Sequence, residues 1–483
     1  MKLLLINPPR WNELVGKNPS IIEKHRGFNP PLGLLYLAAS LQKQTTFEVE
    51  ILDTQPLELS YRQLEDVLSK KSFDVVGVTA MTFTLFDAVK TIRIAKKVHP
   101  NAWTVLGGTH VHLFPEETAN LNGVDFALMG EAEYSLIALL SLLNQKNNTV
   151  DSIPGLIYKS KEGKININNI VPITDLDALP FPRRSVLDIH QYNSLLSHSA
   201  LSTTIISSRG CPFRCAFCDR PCSPVTSLFR VRSAQNVVDE IQECVDLGIK
   251  DFLFYDDTFT VVRERILSIC DELLHRGIHI RWDIRTRVDL VDRQVLEMLK
   301  KAGCQSIHYG VESGSDRILK IIKKGITVKK AKDIFALTRK IGIDTLAYFM
   351  IGLPSETASD IQKTCDLVKE LHPDYVHFSI FSPYPGTELY ALGMERNIIK
   401  QDIWREFARN PQEGFQIPVW EENFTRDDLY KTIVTLYKGF YLRPVYLLTR
   451  LAKTRSLGEL MRKAKAGISV ATMKKEGVDK VSR

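Results

Sequence analysis

This 483-residue chain predicts an α/β protein with two successive sheet units and a helical C-terminal region. Three observations support that class. Strand and helix signals alternate through the first ~150 residues. A second alternation, of six strand-then-helix repeats, starts at Ser202 and suggests a partial barrel. From roughly Ile399 onward the pattern is helical with polar loops. The length exceeds what one core serves, so two or three domains are expected. Hydrophobic content of 44% and charged content of 25% are ordinary for a soluble globular protein.

The opening Met-Lys-Leu-Leu-Leu-Ile-Asn-Pro-Pro-Arg looks only superficially like a secretory leader. Its apolar run of four residues ends without a small-residue cleavage site, so Leu3–Asn7 reads as a buried strand. Pro31–Gln42 reads as a helix with proline near its start. Strands at Phe47–Asp53 and Asp74–Thr79 alternate with helices at Tyr61–Ser69 and Thr84–Val98. Trp103–Gly107 is a strand running into Gly107-Gly108, and Phe126–Met129 leads into Gly130-Glu131 and a further helix. Residues Ile153–Arg184 read as a connector with a short hairpin signal. The second series places strands at Ser202–Ser207, Asp251–Tyr255, Arg281–Ile284, Ser306–Val311, Asp344–Ile351 and Tyr375–Ser379.

Open α/β sheets bind ligands beyond the carboxyl ends of their strands. Those ends here are Asn7-Pro8-Pro9, Thr79-Ala80-Met81, Gly107-Gly108-Thr109-His110 and Gly130-Glu131-Ala132-Glu133. Glycines there let a large ligand approach the backbone. No G-x-G-x-x-G follows the first strand, which argues against a nicotinamide or flavin nucleotide.

Cys211, Cys215 and Cys218 stand in a C-x3-C-x2-C spacing. Three thiolates on one loop can hold three irons of a cubic iron–sulfur cluster and leave the fourth open for chemistry. Gly210 and Pro212 suit a loop, and Phe213 and Phe217 can shield a cluster. Part of a zinc site is the alternative, but no second C-x2-C or H-x3-H pair follows. Eight cysteines in all are too sparse for a disulfide scaffold. Cys244, Cys270, Cys304 and Cys365 read as small buried thiols, while Cys222, four residues beyond Cys218, is a further candidate for touching cluster or substrate.

The net charge is +7, yet Arg443 to the end alone carries eleven Lys/Arg against Glu459, Glu476 and Asp479. The rest is near neutral, which excludes a general nucleic-acid binder. No stretch approaches the ~20 apolar residues of a membrane span. A cytoplasmic protein is expected, peripheral to a membrane at most.

The cysteine loop at the end of the first barrel strand resembles the radical S-adenosylmethionine (SAM) superfamily, over residues ~195–400. Gly310-Val311-Glu312-Ser313-Gly314 is similar to its fourth-strand SAM segment, and Phe349-Met350-Ile351-Gly352-Leu353-Pro354-Ser355-Glu356 to the segment packed on adenosine. Tyr255-Asp256-Asp257 and Arg285-Thr286-Arg287 end the second and third strands. The resemblance implies a [4Fe-4S] cluster on Cys211, Cys215 and Cys218, with SAM on its open iron. Glu312 or Ser313 would take the amino group or ribose, Arg285 or Arg287 the carboxylate, and Gly352 the adenosine side. Asp256 and Asp257 point into the barrel mouth or cap the next helix.

Asn7-Pro8-Pro9, Pro31-Leu32-Gly33-Leu34, Gly107-Gly108-Thr109-His110, Phe114-Pro115-Glu116-Glu117, Met129-Gly130-Glu131-Ala132-Glu133 and Leu179-Pro180-Phe181-Pro182 together resemble the cobalamin-binding domain fused to such barrels. The branch is that of the anaerobic magnesium-protoporphyrin ester cyclase and the hopanoid methylases. It implies a Rossmann-like cobalamin-binding domain (1–150), a linker (151–194), a partial (β/α)6 TIM-type radical SAM core (195–400) and a helical region with a basic tail (401–483). Pro8, Thr79, Gly107, Gly108, Gly130 and Glu131 are the implied cobalamin contacts. The D-x-H-x-x-G motif that supplies an imidazole to cobalt is absent: Asp188-Ile189-His190 lacks the glycine and lies in the linker. Cobalamin without a protein imidazole is therefore expected, with His110 or His112 as the minority alternative.

The implied reaction is reductive SAM cleavage to a 5′-deoxyadenosyl radical that functionalises an unactivated carbon, with methyl transfer the leading outcome. A cyclase- or oxidoreductase-like reaction on a tetrapyrrole or lipid-like substrate is the first alternative. A non-catalytic iron–sulfur electron carrier or sensor is the second. The implied partners are a small-molecule substrate and an external reductant of flavodoxin or ferredoxin type. The aromatic run Leu436–Leu448 and the basic tail after it suggest contact with an anionic membrane face, against a helix packed on the barrel.

Overall fold

The computed structural model describes residues 1–14, 27–145, 150, 152–194, 201–223, 225–452, 467–468 and 470–473. The first sheet grows from β1 (Lys2–Asn7), whose Leu3–Ile6 are buried on both faces, as an interior parallel strand requires. With β2 (Glu48–Asp53), β3 (Val75–Thr79), β4 (Trp103–Gly107) and β5 (Phe126–Leu128) it forms the parallel order β2-β1-β3-β4-β5. Leu3 and Leu5 face a core with α1 (Leu32–Gln44) and α4 (Glu133–Asn144), while Leu4 and Ile6 face one with α2 (Tyr61–Leu68) and α3 (Leu85–Val98). The strand order reverses at β1, so the crevice for a ligand opens between the carboxyl ends of β1 and β3. Register sets those ends level, with Asn7 opposite Asp53 and Thr79 opposite Gly107. The hairpin signal in the segment 151–194 is β6 (Leu156–Lys159) and β7 (Ile165–Ile167), which add antiparallel to β5 and extend this sheet.

The second sheet is parallel in strict chain order: β8 (Ser202–Ile205), β9 (Asp251–Phe254), β10 (Arg281–Thr286), β11 (Cys304–Glu312), β12 (Asp344–Ile351) and β13 (Tyr375–Ile380). The longer intervening helices are α5 (Ala234–Asp246), α6 (Arg263–His275), α7 (Arg293–Lys301), α8 (Val328–Ile341) and α9 (Ala358–Leu371). Alternate residues such as Trp282, Ile284, Ile307, Tyr309, Ala347 and Phe349 pack outward into the helix-covered core. The opposite face carries Asp283, Arg285, His308, Glu312, Tyr348 and His377, so the inside of this partial barrel is polar.

β13 ends the sheet, and its free edge is closed by α11 (Arg426–Tyr441), which follows α10 (Glu388–Glu395) and a short helix at Ile403–Arg409. Phe378 N–H donates to the Tyr437 hydroxyl, which donates to the Phe378 carbonyl; Val376 and Tyr441 repeat the exchange. Four helical residues rise about 6 Å and two strand residues rise about 6.6 Å, so the two spacings match. The aromatic run thus caps an edge that would otherwise pair with another strand, and among the described residues Leu442, Leu447 and Leu448 are its exposed large apolar side chains. The basic tail that follows lies mostly outside the described residues. Among the described residues no helix is long and apolar enough to cross a membrane.

The C-terminal region packs on both sheets: Trp404 and Phe407 enter the α2/α3 side of the first, Leu429, Ile433 and Tyr437 the barrel core. Between the units lies a buried Arg184–Glu240–Arg232 triad, with Arg232 also reaching the hydroxyl of Tyr36 on α1.

Candidate active site between the two sheets

The three-cysteine loop leaves the carboxyl end of β8. Gly210 starts it at φ +84°, where any Cβ would lie 2.2 Å from the Leu228 carbonyl oxygen. Three backbone bonds hold it: Cys211 N–H to Thr226, Ala216 N–H to Ile322 and Leu389 N–H to the Ala216 carbonyl. The three thiols are partly exposed, and burial pushes the Cys215 thiol up and that of Cys218 up to about 12. Arg287 and Lys324 oppose that at Cys215, the Arg287 guanidinium lying 3.9 Å from its sulfur. Among the described residues no three His, Cys, Asp or Glu side chains converge tightly enough for one metal ion. Zinc needs such convergence, whereas in a cubane each thiolate takes a different iron, so these thiols fit a cluster. Cys222 is exposed, its sulfur 3.8 Å from the Cys218 carbonyl oxygen.

Glu312 ends β11 at φ +71°, a left-handed conformation that side chains other than glycine rarely hold without a reason. A register shift between Gly310 and Glu312 turns the carboxylate inward, 2.8 Å from Lys324 Nζ, with both side chains buried. A Cβ at position 310 would strike both charged groups, at 2.5 Å and 2.8 Å. Ser313 is fully buried and its hydroxyl accepts from Ser315 N–H. Arg287 lies bidentate on Asp289 and 4.0 Å over the Phe213 ring, so it braces the cysteine loop. Arg285 lies over the Tyr255 ring at 4.2 Å. Gly352 takes φ +78° against Leu429, its N–H on the Glu356 carboxylate at 2.6 Å. Asp256 is held by Ser207 and Ser208 just ahead of the loop, and Asp257 pairs with Arg220 at 3.1 Å.

On the first sheet, Pro8 is buried at the reversal point, its carbonyl bonded by Gln55. Thr79 lies opposite Gly107, where a Cβ would meet nothing within 4 Å. Gly108, at φ +104°, presses on the Ala80 backbone, and exposed Met81 stands beside it. This open shelf suits a broad flat ligand, which fits cobalamin. His110 is wholly buried, with Nδ1 at 3.2 Å from Thr82 Oγ1, and burial drives its pKa down to about 3. His190 is exposed on the linker. Gly130 meets Ile170 and Val225, and Glu131 is engaged by Arg209 (2.9 Å), Arg230 (2.6 Å) and Ile173 N–H. Glu133 takes the other arm of Arg209.

These contacts bring the carboxyl edge of the first sheet against the cysteine loop. Arg209 and Val225 flank the loop in sequence, and at Gly386 a Cβ would meet both Leu113, beyond β4, and Cys222. Sequence reasoning missed Lys324, Arg209 and Arg230. Lys324 follows Lys323 in a lysine-rich stretch, so the sequence carried no signal for it, nor for the arginines.

Comparison with known proteins agrees with this geometry. Residues 205–387 match the family model of the radical SAM superfamily and residues 20–140 that of the B12 binding domain. The chain is 32% identical over 453 residues to an uncharacterised methyltransferase of Pyrococcus horikoshii, spanning 93% of this chain and 94% of that one. It is 28% identical to the anaerobic magnesium-protoporphyrin IX monomethyl ester cyclase of Rubrivivax gelatinosus, over 86% and 75% of the two chains. In fold it is similar to the radical SAM methyltransferase TsrM from Kitasatospora setae, solved with cobalamin and a [4Fe-4S] cluster. That match has a TM-score of 0.73 at 18% identity and covers 96% and 99% of the chains.

Proposed function

The chain belongs to the radical SAM superfamily, in the group whose barrel follows a B12-binding domain, and from that premise we propose that it methylates an unactivated carbon of a small molecule. The electron-carrier and sensor alternative is set aside, since the relatives it matches along most of its length are methyltransferases and cyclases. When bound, the cluster supplies the electron that cleaves SAM to a 5′-deoxyadenosyl radical, and cobalamin supplies the methyl carrier. One observation carries the methyl-transfer reading: the shelf at the carboxyl ends of β3 to β5 abuts the cysteine loop, through Leu113, Gly130 and the Glu131–Arg209 pair.

The chain's own residues divide the work. Cys211, Cys215 and Cys218 would hold the cluster. Glu312 and Lys324 form a buried pair of opposite charges beside Cys215, complementary to the ammonium and carboxylate of an amino-acid ligand. Glycine at 310 leaves room for that pair, and Arg287 stiffens the loop. The cobalamin shelf is Pro8, Thr79, Gly107 and Gly108, with no imidazole offered by His110.

A cyclase-like outcome is the second reading, favoured by the match to the magnesium-protoporphyrin cyclase. The reading extends to a cytoplasmic enzyme with a flavodoxin- or ferredoxin-type reductant. It also gives the tail a docking role on anionic membranes, supported by its basic balance and by exposed Leu447 and Leu448. Anaerobic reconstitution with iron, sulfide and hydroxocobalamin, followed by SAM and a reductant, tests it. Methyl transfer gives S-adenosylhomocysteine beside 5′-deoxyadenosine, and only with cobalamin. 5′-Deoxyadenosine alone, with cobalamin bound, favours the cyclase-like outcome.

A further inference from the structure

Several charges at the barrel mouth are neutralised in pairs. Lys324 answers Glu312, Asp289 answers Arg287, and Arg220 answers Asp257. Asp256 is satisfied by hydroxyls and a backbone N–H. Arg285 projects inward from β10, and among the described residues it has no ion pair. Its neighbours are Tyr255 and Tyr348, and the Asp257 carboxylate, itself paired with Arg220, also acts on it. Its Nε is buried with no acceptor.

The adjacent strand repeats the pattern. His308 is opposite Arg285 in register, buried, and its Nε2 has no partner. Burial and the nearby guanidinium keep that imidazole neutral, down to about pH 3, so it adds a hydrogen bond without a second charge. The side chain as a whole is only partly buried, but a guanidinium drawn from water without a counter-charge is costly, and such groups are found paired. The missing partner is an anion.

We infer that Arg285, with His308 and the tyrosine hydroxyls of Tyr255 and Tyr348, forms an anion site inside the barrel that receives a carboxylate or phosphoryl group of the substrate. This rests on the radical SAM reading above and adds to it the substrate's charge class. A bidentate guanidinium suits either group, and Tyr255, which is 44% exposed, leaves the site open toward the mouth. The carboxylate of SAM is the other possible source of the same chemistry.

Inorganic phosphate is the probe, titrated into the reconstituted holoenzyme saturated with SAM and followed by calorimetry. Saturable binding is expected, weakened about tenfold or more in Arg285→Met and largely restored in Arg285→Lys. SAM affinity should stay within about twofold. Should Arg285→Met misfold, Tyr348→Phe and His308→Phe provide the same reading through smaller losses. Two results overturn the inference: phosphate that fails to bind or binds the variants equally well, and a SAM affinity that falls with phosphate competing against SAM. Wild-type 5′-deoxyadenosine formation is read separately, so failure of the radical reading is distinguishable from failure of the anion site.

Discussion

Glu131, at the carboxyl edge of the first sheet, is ion-paired at 2.9 Å to Arg209, two residues ahead of Cys211. Arg230 joins at 2.6 Å, and all three side chains are largely buried. Breaking a buried pair leaves a charge unanswered, at about 3 kcal/mol. Glu131→Gln should lower stability by that order in denaturant titration. Because the pair ties the shelf to the cysteine loop, the variant should also uncouple the reaction. Its 5′-deoxyadenosine yield should be retained and its S-adenosylhomocysteine yield reduced.

The Glu312–Lys324 pair answers to a double-mutant cycle. Lys324→Met should cost about 3 kcal/mol, while adding Glu312→Gln should recover part of it by removing the stranded carboxylate. Both single variants should bind SAM at least about tenfold more weakly, measured by equilibrium dialysis on the reconstituted protein.

His110 yields a pH signature. Its pKa is about 3 in the folded chain against an ordinary value near 6.5. The unfolded chain therefore takes up the proton first, and the stability contribution present above about pH 6.5 is lost as pH falls toward 3. Asp283 and Glu356, raised by burial to about 8 and about 7, act in the opposite sense. The test is thus the difference between wild type and His110→Gln. That difference should change by about 1.4 kcal/mol per pH unit between pH 6 and 4, and cobalamin stoichiometry should be unaffected.

Removing any one of Cys211, Cys215 and Cys218 as alanine should abolish cluster absorbance and iron content, whereas Cys222→Ala should keep both. A cluster lost with Cys222→Ala would make Cys222 a ligand.

Most of the fold was legible because parallel strands and amphipathic helices write different periods. Leu3–Ile6 reads as buried on both faces, and the six barrel strands fall close to where alternation put them. The hairpin Leu156–Lys159 and Ile165–Ile167 leaves only a short signal inside the connector, because such short strands carry little periodicity. At the site, spacing alone marks the cysteines. Glu131 stands at a strand end among the implied cobalamin contacts, and its partners Arg209 and Arg230, 78 and 99 residues away, leave no signal in the sequence. His308 was visible in principle: Ser306, His308, Gly310 and Glu312 interrupt a strand of apolar residues at period two, where an interior parallel strand should be apolar throughout.

The most direct measurement is product analysis of the anaerobically reconstituted protein with SAM and a low-potential reductant, with and without cobalamin. The account predicts 5′-deoxyadenosine in both, abolished by Cys215→Ala, and S-adenosylhomocysteine only with cobalamin. Intact SAM after turnover by a protein carrying its full cluster would contradict it.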